Sequence, residues 1–294
     1  MKVLPFTIPV PYDHSIIVQE EVLPHFYTCL HRHAEVQITW IQEGAGTLLA
    51  GNSMHPFHSD EIYLLGANLP HLFKSDAAYF QPDNGMEVKA TTIFFNPSGK
   101  LQALFSLPEM KALNTFVSQW QSGFKVPDAS FGSIAGKITI LQQASGPVQL
   151  SLFIELISTL SLDAGLEPLS SATHSYSMSD PEGMRIAAVY NYIMQNYAGK
   201  LSLEAAAAQA HLTPTAFCRY FKKYTRHTFV HFVNKIRVNE ACKMLTNRST
   251  NSMASVAYAC GFNSITNFNY IFKSITGHSP SQYLSSYTAA VKGE

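Results

Sequence analysis

The sequence predicts an α+β chain of several domains, with a β-rich N-terminal region, a helical middle and an all-α C-terminal region. Three observations carry this. Residues 1–95 hold short alternating runs between turn residues, residues 96–167 repeat apolar side chains three and four apart, and residues 201–283 contain one helical pattern written twice. At 294 residues the chain also exceeds what one hydrophobic core usually serves.

In the first region Val36, Ile38 and Trp40 alternate with Glu35, Gln37 and Thr39, the period of a half-buried strand, and Glu43-Gly44-Ala45-Gly46 supplies a turn. Further strand-like runs at 47–50, 61–65 and 88–95 are separated by Gly51-Asn52, Gly66-Ala67-Asn68 and Asp83-Asn84-Gly85. Short strands with frequent turns favour a barrel or a sandwich. After Pro97, residues 108–122, 130–143 and 147–163 read as helices, with Leu113, Phe116, Val117 and Trp120 in the first and Leu152, Ile154, Leu156, Ile157 and Leu160 in the last. Helices this apolar must bury themselves against the strands, a sister helix or another subunit, and 147–163 motivates a homodimer. Five serines (170, 171, 175, 177 and 179) between Pro168 and Pro181 mark 168–181 as a flexible linker.

The all-α region, 182–290, opens with a helix expected over 182–197 and ended by Ala198-Gly199. The first copy of the repeat runs from Leu203-Glu204-Ala205 to Thr225, the second from Ala254-Ser255-Val256 to Thr276 and Gly277. Ala207 matches Ala257 at an offset of 50, whereas Phe217, Phe221 and Lys222 match Phe268, Phe272 and Lys273 at an offset of 51, so one residue is inserted in the second turn. A short Ala-rich helix, a polar turn and a second helix ending in lysine outline a helix-turn-helix. Ser202 and Thr213 stand where they would cap the two helices of the first copy, with Pro214 at the first helical position. The helix between the copies, 228–246, spans about 28 Å at about 1.5 Å per residue, near the ~34 Å between successive major-groove faces.

Charge divides the same way. Residues 1–181 hold 8 basic and 16 acidic side chains, net −8, and residues 182–294 hold 12 and 4, net +8, so the overall zero hides two opposed halves. The basic half can displace counterions from a phosphate backbone. No run approaches the roughly 18 apolar residues of a membrane span, and Pro5, Pro9 and Pro11 interrupt any secretory core, so a cytoplasmic protein without membrane contact is expected. Cys29, Cys218, Cys242 and Cys260 are scattered as reduced thiols would be.

The order Phe217-x-Arg219-x-Phe221-Lys222-Lys223-Tyr224-Thr225, then Ile236-Arg237 and Ala241, then Val256-Ala257-x-x-x-Gly261-Phe262, then Phe268-x-x-x-Phe272-Lys273-x-x-Thr276-Gly277 and Ser279-Pro280-x-x-Tyr283 resembles the AraC/XylS family of bacterial transcription regulators over about 100 residues. The resemblance implies double-stranded DNA as partner, RNA polymerase as a further one, and two recognition helices at 213–223 and 264–273. Aromatics four apart share a helix face, so Phe217, Phe221, Phe268 and Phe272 are expected in the core. The opposite faces offer Thr213, Thr215, Cys218, Arg219, Lys222 and Lys223 in the first reader and Ser264, Ile265, Thr266, Asn267, Asn269, Tyr270 and Lys273 in the second. Arg219 can fork onto guanine or phosphate, Asn267 or Asn269 can pair adenine, and the lysines suit the backbone. Two departures stand out: the family usually has a basic residue at Tyr270 and glycine at Arg226.

In the N-terminal region His31-x-His33-x-x-x-Gln37 and the later Gly66-Ala67-Asn68-Leu69-Pro70-His71 resemble the paired motifs of cupins, whose histidines point into a small β-barrel. On one strand, residues 31, 33 and 37 would share a face. His31, His33, Glu35, Gln37 and His71 are therefore the expected effector-binding residues of a sensor over 1–95, with a sugar or metabolite as ligand and no cofactor. His31, His33 and His71 are also the group that would take a metal, although Gln37 stands where a carboxylate is usual. A ligand-responsive transcription regulator follows. The rival is a metal-dependent cupin enzyme with an appended basic domain.

Overall fold

The computed structural model describes residues 14–27, 30–81, 85–169, 180–246 and 252–292. It divides into two compact units, Met1–Met184 and Arg185–Glu294.

The first unit contains β1 (Ile16–Leu23), β2 (Val36–Glu43), β3 (Gly46–Ala50), β4 (Ser53–Phe57), β5 (Glu61–Leu65), β6 (His71–Ser75) and β7 (Val88–Phe95). Helices α1 (Gln102–Phe105), α2 (Lys111–Gln119), α3 (Asp128–Gln143) and α4 (Gly146–Ser161) follow, with two-residue strands β8 (Phe124–Lys125) and β9 (Glu167–Pro168). The strands form a six-stranded sheet in the order β1-β7-β2-β5-β8-β9 and a three-stranded sheet β4-β3-β6, every neighbour antiparallel.

Strand parity sorts the large sheet into two buried faces. Val36, Ile38, Ile62, Leu64, Ile93 and Phe95 pack with Phe105, Phe116, Ile138, Phe153, Leu156, Ile157 and Leu160 of the helices. The alternate positions Ile41, Tyr63, Leu65, Val88 and Ala90 pack with Leu48, Phe57 and Phe73 of the small sheet. The alternation around Ile38 therefore does not mean a half-solvated strand, because Gln37 and Thr39 are as buried as their neighbours. The polar half of the pattern faces the interior.

Two boundaries read from the sequence shift. β8 and β9 hydrogen-bond onto β5 and onto each other, so 96–167 belongs to the same unit as the strands. Pro168, expected to open the linker, lies in β9, and Leu169 is buried with its amide donating to Gly123 O at 3.1 Å. The five linker serines lie outside the described residues, as does Cys29. The apolar side chains of α4 that motivated a dimer are used within the unit: Phe153, Leu156, Ile157 and Leu160 are fully buried against its own sheet and helices.

The second unit is all helical: α5 (Asp180–Asn196), α6 (Leu203–Gln209), α7 (Pro214–Thr225), α8 (Phe229–Thr246), α9 (Met253–Ala259), α10 (Ile265–Thr276) and α11 (Pro280–Lys292). Serine and threonine caps start the paired helices, each hydroxyl accepting from the amide three residues on: Ser202 from Ala205, Thr213 from Ala216, Ser252 from Ser255 and Ser264 from Asn267. Caps 202 and 252 differ by 50 positions and caps 213 and 264 by 51, which puts the inserted residue at Asn263. The turns match through one hydrogen bond, from Leu212 N to Ala207 O and from Phe262 N to Ala257 O, both 3.0 Å.

Helix α8 serves both copies. Phe229 and Phe232 at its start join Tyr190, Phe217 and Phe221 in one aromatic cluster, while Val238, Ala241 and Leu245 join Val256, Phe262, Phe268 and Phe272 in another core. Midway, Arg237 Nε donates to Tyr197 O at 2.8 Å and its Nη2 to Gly199 O at 3.0 Å, which ties the turn after α5 to α8.

Candidate DNA-reading surface and effector cavity

On α7 and α10 the aromatic pairs and the polar side chains separate by face. Phe217, Phe221, Phe268 and Phe272 have no exposed surface. Thr213, Thr215, Cys218, Arg219, Lys222 and Lys223 are all exposed, and so are Ser264, Ile265, Thr266, Asn267, Asn269, Tyr270 and Lys273, with Tyr270 at 72% more open than Ile265. Of the other cysteines Cys242 is half-buried and Cys260 buried. Burial pushes their thiols up to about 11 and about 12, so both are packing groups rather than nucleophiles. Arg226 adopts the left-handed conformation at φ 60° and ψ 2°, so the chain turns there as glycine would allow.

In the first unit the inner faces of β1, β2, β6 and β7 enclose a cavity of about 250 Å³. Its polar lining is Gln19, Glu21, His31, Gln37, Thr39 and Thr92, and its apolar lining is Phe26, Tyr27, Phe73 and Phe94. Register brings these together: Thr92 pairs with Gln19 on one side and Thr39 on the other, and Phe94 pairs with Gln37. Glu21 Oε1 accepts from Gln19 Nε2 at 2.7 Å and from the Tyr27 hydroxyl at 3.3 Å. Burial raises the Glu21 carboxyl above the usual carboxylate range, partly offset by that hydroxyl.

His31, His33 and His71 converge beside this cavity, but not from one strand. His31 and His33 precede β2, and His31 is placed by two backbone hydrogen bonds with His71, His31 N to His71 O at 3.1 Å and His71 N to His31 O at 2.9 Å. The three rings stand 4.4–6.0 Å apart. Nε2 of His33 and Nε2 of His71 each lie 3.0 Å from Gln37 Oε1, whose own Nε2 lies 2.7 Å from Thr39 Oγ1. Thr39 Oγ1 and Thr92 Oγ1 are 3.2 Å apart. Burial depresses the pKa of both His33 and His71. Glu35 takes no place in this group: its carboxylate lies 3.7 Å from Nδ1 of His33, on the ring edge away from Gln37.

Of the expected effector residues, the structure therefore brings His31, His33, Gln37 and His71 together and leaves Glu35 behind them. Sequence reasoning did not select Gln19, Glu21, Tyr27, Thr92 or the phenylalanine walls. Their signal is parity: Gln19, Glu21, Thr92 and Phe94 lie on the same face of the large sheet as Gln37 and Thr39 once the register is known, and Phe73 faces them from the small sheet. The three histidines have the donor set of a metal site, with ligand atoms all within 4.8 Å of one another and the His33 and His71 rings backed by carbonyls, but the Gln37 carboxamide stands against two of them.

Comparisons with known proteins bear on the second unit and on the chain as a whole. Residues 206–286 match a family model described as a helix-turn-helix domain. The HTH-type transcriptional activator RhaS of Pectobacterium atrosepticum is 22% identical over 268 residues, 85% of each chain. The raffinose operon transcriptional regulatory protein RafR of Pediococcus pentosaceus is 25% identical over 280 residues, 91% of each chain. Among solved structures, ToxT from Vibrio cholerae with a bound unsaturated fatty acid is 14% identical, covering 92% of this chain and 95% of that one, with a TM-score of 0.36. The chain thus carries a helix-turn-helix domain over 206–286, and most of its length is similar to proteins named as transcription regulators.

Proposed function

We propose that the chain reads a bipartite promoter site through two helix-turn-helix motifs, α6–α7 and α9–α10, and that a small molecule in a cupin-type barrel controls this reading. The observation that carries the proposal is the division of α7 and α10 into a fully buried aromatic face and an exposed polar one. Arg219, Asn267 and Asn269 then meet base edges, while Lys222, Lys223 and Lys273 hold phosphates and set register. Helix α8, 18 residues or about 27 Å long, separates the readers by nearly the ~34 Å between groove faces.

The cavity lining supports a compact, uncharged, hydroxyl-bearing effector. Among the described residues neither lysine nor arginine lines it, while Glu21, Gln19 and the threonines offer hydrogen bonds and the aromatic rings offer flat walls. A volume of about 250 Å³ favours a single sugar ring over an oligosaccharide. The relative RafR is named for the raffinose operon, which agrees with a sugar-type ligand. The chain acts as a regulator rather than an enzyme, in the cytoplasm, with RNA polymerase as its further partner. A homodimer would draw on Ile140, Val148 and Leu162, apolar side chains of the middle helices that stay open to solvent.

The test is a mobility-shift titration of the full chain on DNA fragments selected for binding, across salt concentrations and with a panel of monosaccharides. Sequence-selective, salt-sensitive binding whose affinity changes with one sugar is expected; binding indifferent to sequence would defeat the reading. Arg219→Ala should weaken binding by about 1–3 kcal/mol for a base contact, and less for a phosphate.

A further inference from the structure

His33 and His71 are both held at Nδ1 by a backbone carbonyl, Glu35 O at 2.9 Å and Leu69 O at 2.8 Å. A carbonyl only accepts, so each Nδ1 carries a hydrogen. Both rings are buried, which favours the neutral imidazole, and a neutral ring protonated at Nδ1 has a bare lone pair at Nε2. The two lone pairs face the same end of the Gln37 side chain at 3.0 Å. A carbonyl oxygen at that end would set three acceptors against one another, at about 1–3 kcal/mol for each unsatisfied buried group.

The two ends of a carboxamide have the same shape, so hydrogen-bond chemistry decides which faces the rings. With the NH2 group turned toward them, its two hydrogens meet the two lone pairs. The amide oxygen then accepts the Thr39 hydroxyl at 2.7 Å, and Thr39 in turn accepts the Thr92 hydroxyl at 3.2 Å. This one orientation satisfies every member of the network.

We propose that the Gln37 carboxamide, with its NH2 group facing His33 and His71, occupies the point at which these histidines would otherwise hold a metal ion, so that the cluster is a closed hydrogen-bond hub and not a metal centre. The surrounding half of a metal site is present: ring nitrogens backed by carbonyls, and His31 within reach. A neutral amide that donates two hydrogens makes the ion unnecessary. A carboxylate at this position could donate nothing, and two lone pairs facing an anion form an arrangement that a divalent cation resolves. The hub also fixes the direction of the chain of hydrogen bonds. Thr92 spends its hydrogen on Thr39 and turns acceptor lone pairs to the cavity, which requires a donor on the ligand. The hub is independent of DNA binding, so its failure and that of the promoter-reading proposal are separable.

Two measurements on the full chain test it. In nitrogen-15-labelled wild-type protein, couplings across the hydrogen bonds should link Gln37 Nε2 to Nε2 of His33 and of His71, with both rings protonated at Nδ1; an Nε2–H on either ring overturns the proposal. In a cobalt(II) titration followed by the ion's visible absorption, Gln37→Glu should bind cobalt roughly 100-fold more tightly than wild type, and adding His31→Ala should reverse the gain. Equal cobalt affinity in wild type and Gln37→Glu overturns it. Should Gln37→Glu fail to fold, the wild-type couplings still decide.

Discussion

In the first copy of the repeated pattern the backbone turns left-handed at His211 (φ 55°) and Arg226 (φ 60°); in the second it does so at Gly261 (φ 85°) and Gly277 (φ 80°). The positions correspond, and the local hydrogen bonds agree. Thr225 Oγ1 donates to Phe221 O at 2.8 Å and accepts from His227 N at 3.1 Å, and Thr276 Oγ1 donates to Phe272 O at 2.9 Å and accepts from His278 N at 3.2 Å. The same turns are thus built with and without glycine. Their surroundings differ. A Cβ on Gly277 would meet nothing within 4 Å, so only its φ favours glycine. A Cβ on Gly261 would stand 2.6 Å from Tyr197 O and 2.9 Å from Ala198 O, so both φ and space require glycine there.

The comparison can be broken most forcefully at the cores. Phe221→Ala and Phe272→Ala, each removing a fully buried ring, should each cost about 3–5 kcal/mol in urea unfolding followed by circular dichroism. A loss under about 1 kcal/mol at either position would mean that the two cores are not equivalent. Tryptophan fluorescence cannot substitute, because Trp40 and Trp120 both lie in the first unit. Next in size, Gly261→Ala should cost about 2 kcal/mol or more and speed hydrogen exchange in α9 and α10, whereas His211→Ala, on an exposed site, should change stability by no more than about 0.5 kcal/mol. Equal effects would remove the distinction between the turns. The smallest change has the opposite sign: Arg226→Gly should stabilise by about 1 kcal/mol, since glycine accepts a left-handed backbone without the Cβ strain. A loss of stability would show that the Arg226 side chain contributes contacts outweighing that strain.

The helix pairs are legible in the sequence because everything that makes them is local: caps at Ser202 and Thr213, aromatics four apart, and a repeat that exposes the inserted residue. In the first unit β2, β3, β5 and β7 are legible from strand-like runs between turns, but β1 breaks its alternation with Gln19, Glu20 and Glu21 in a row, β4 contains Pro56, β6 follows Pro70, and β8 and β9 are only two residues long. The cavity is legible only in part. His31, His33, Gln37 and His71 stand out as a motif, yet their meeting depends on a backbone bridge between residues 31 and 71, far apart in the chain. Glu21 and Thr92 carry no motif; they join the site because β7 lies between β1 and β2. Glu35 falls outside the group because residues 31–35 precede the strand, where alternation no longer fixes which way a side chain points.

Arg237 and Gly261 close on the same short stretch of backbone, residues 197–199, one by donating to its carbonyls and the other by leaving room for them. The beginning of the first helix pair and the elbow of the second are consequently fastened at one pin. Loosening that pin should let go of both, so the duplicated halves, for all their separate cores, are predicted to melt together.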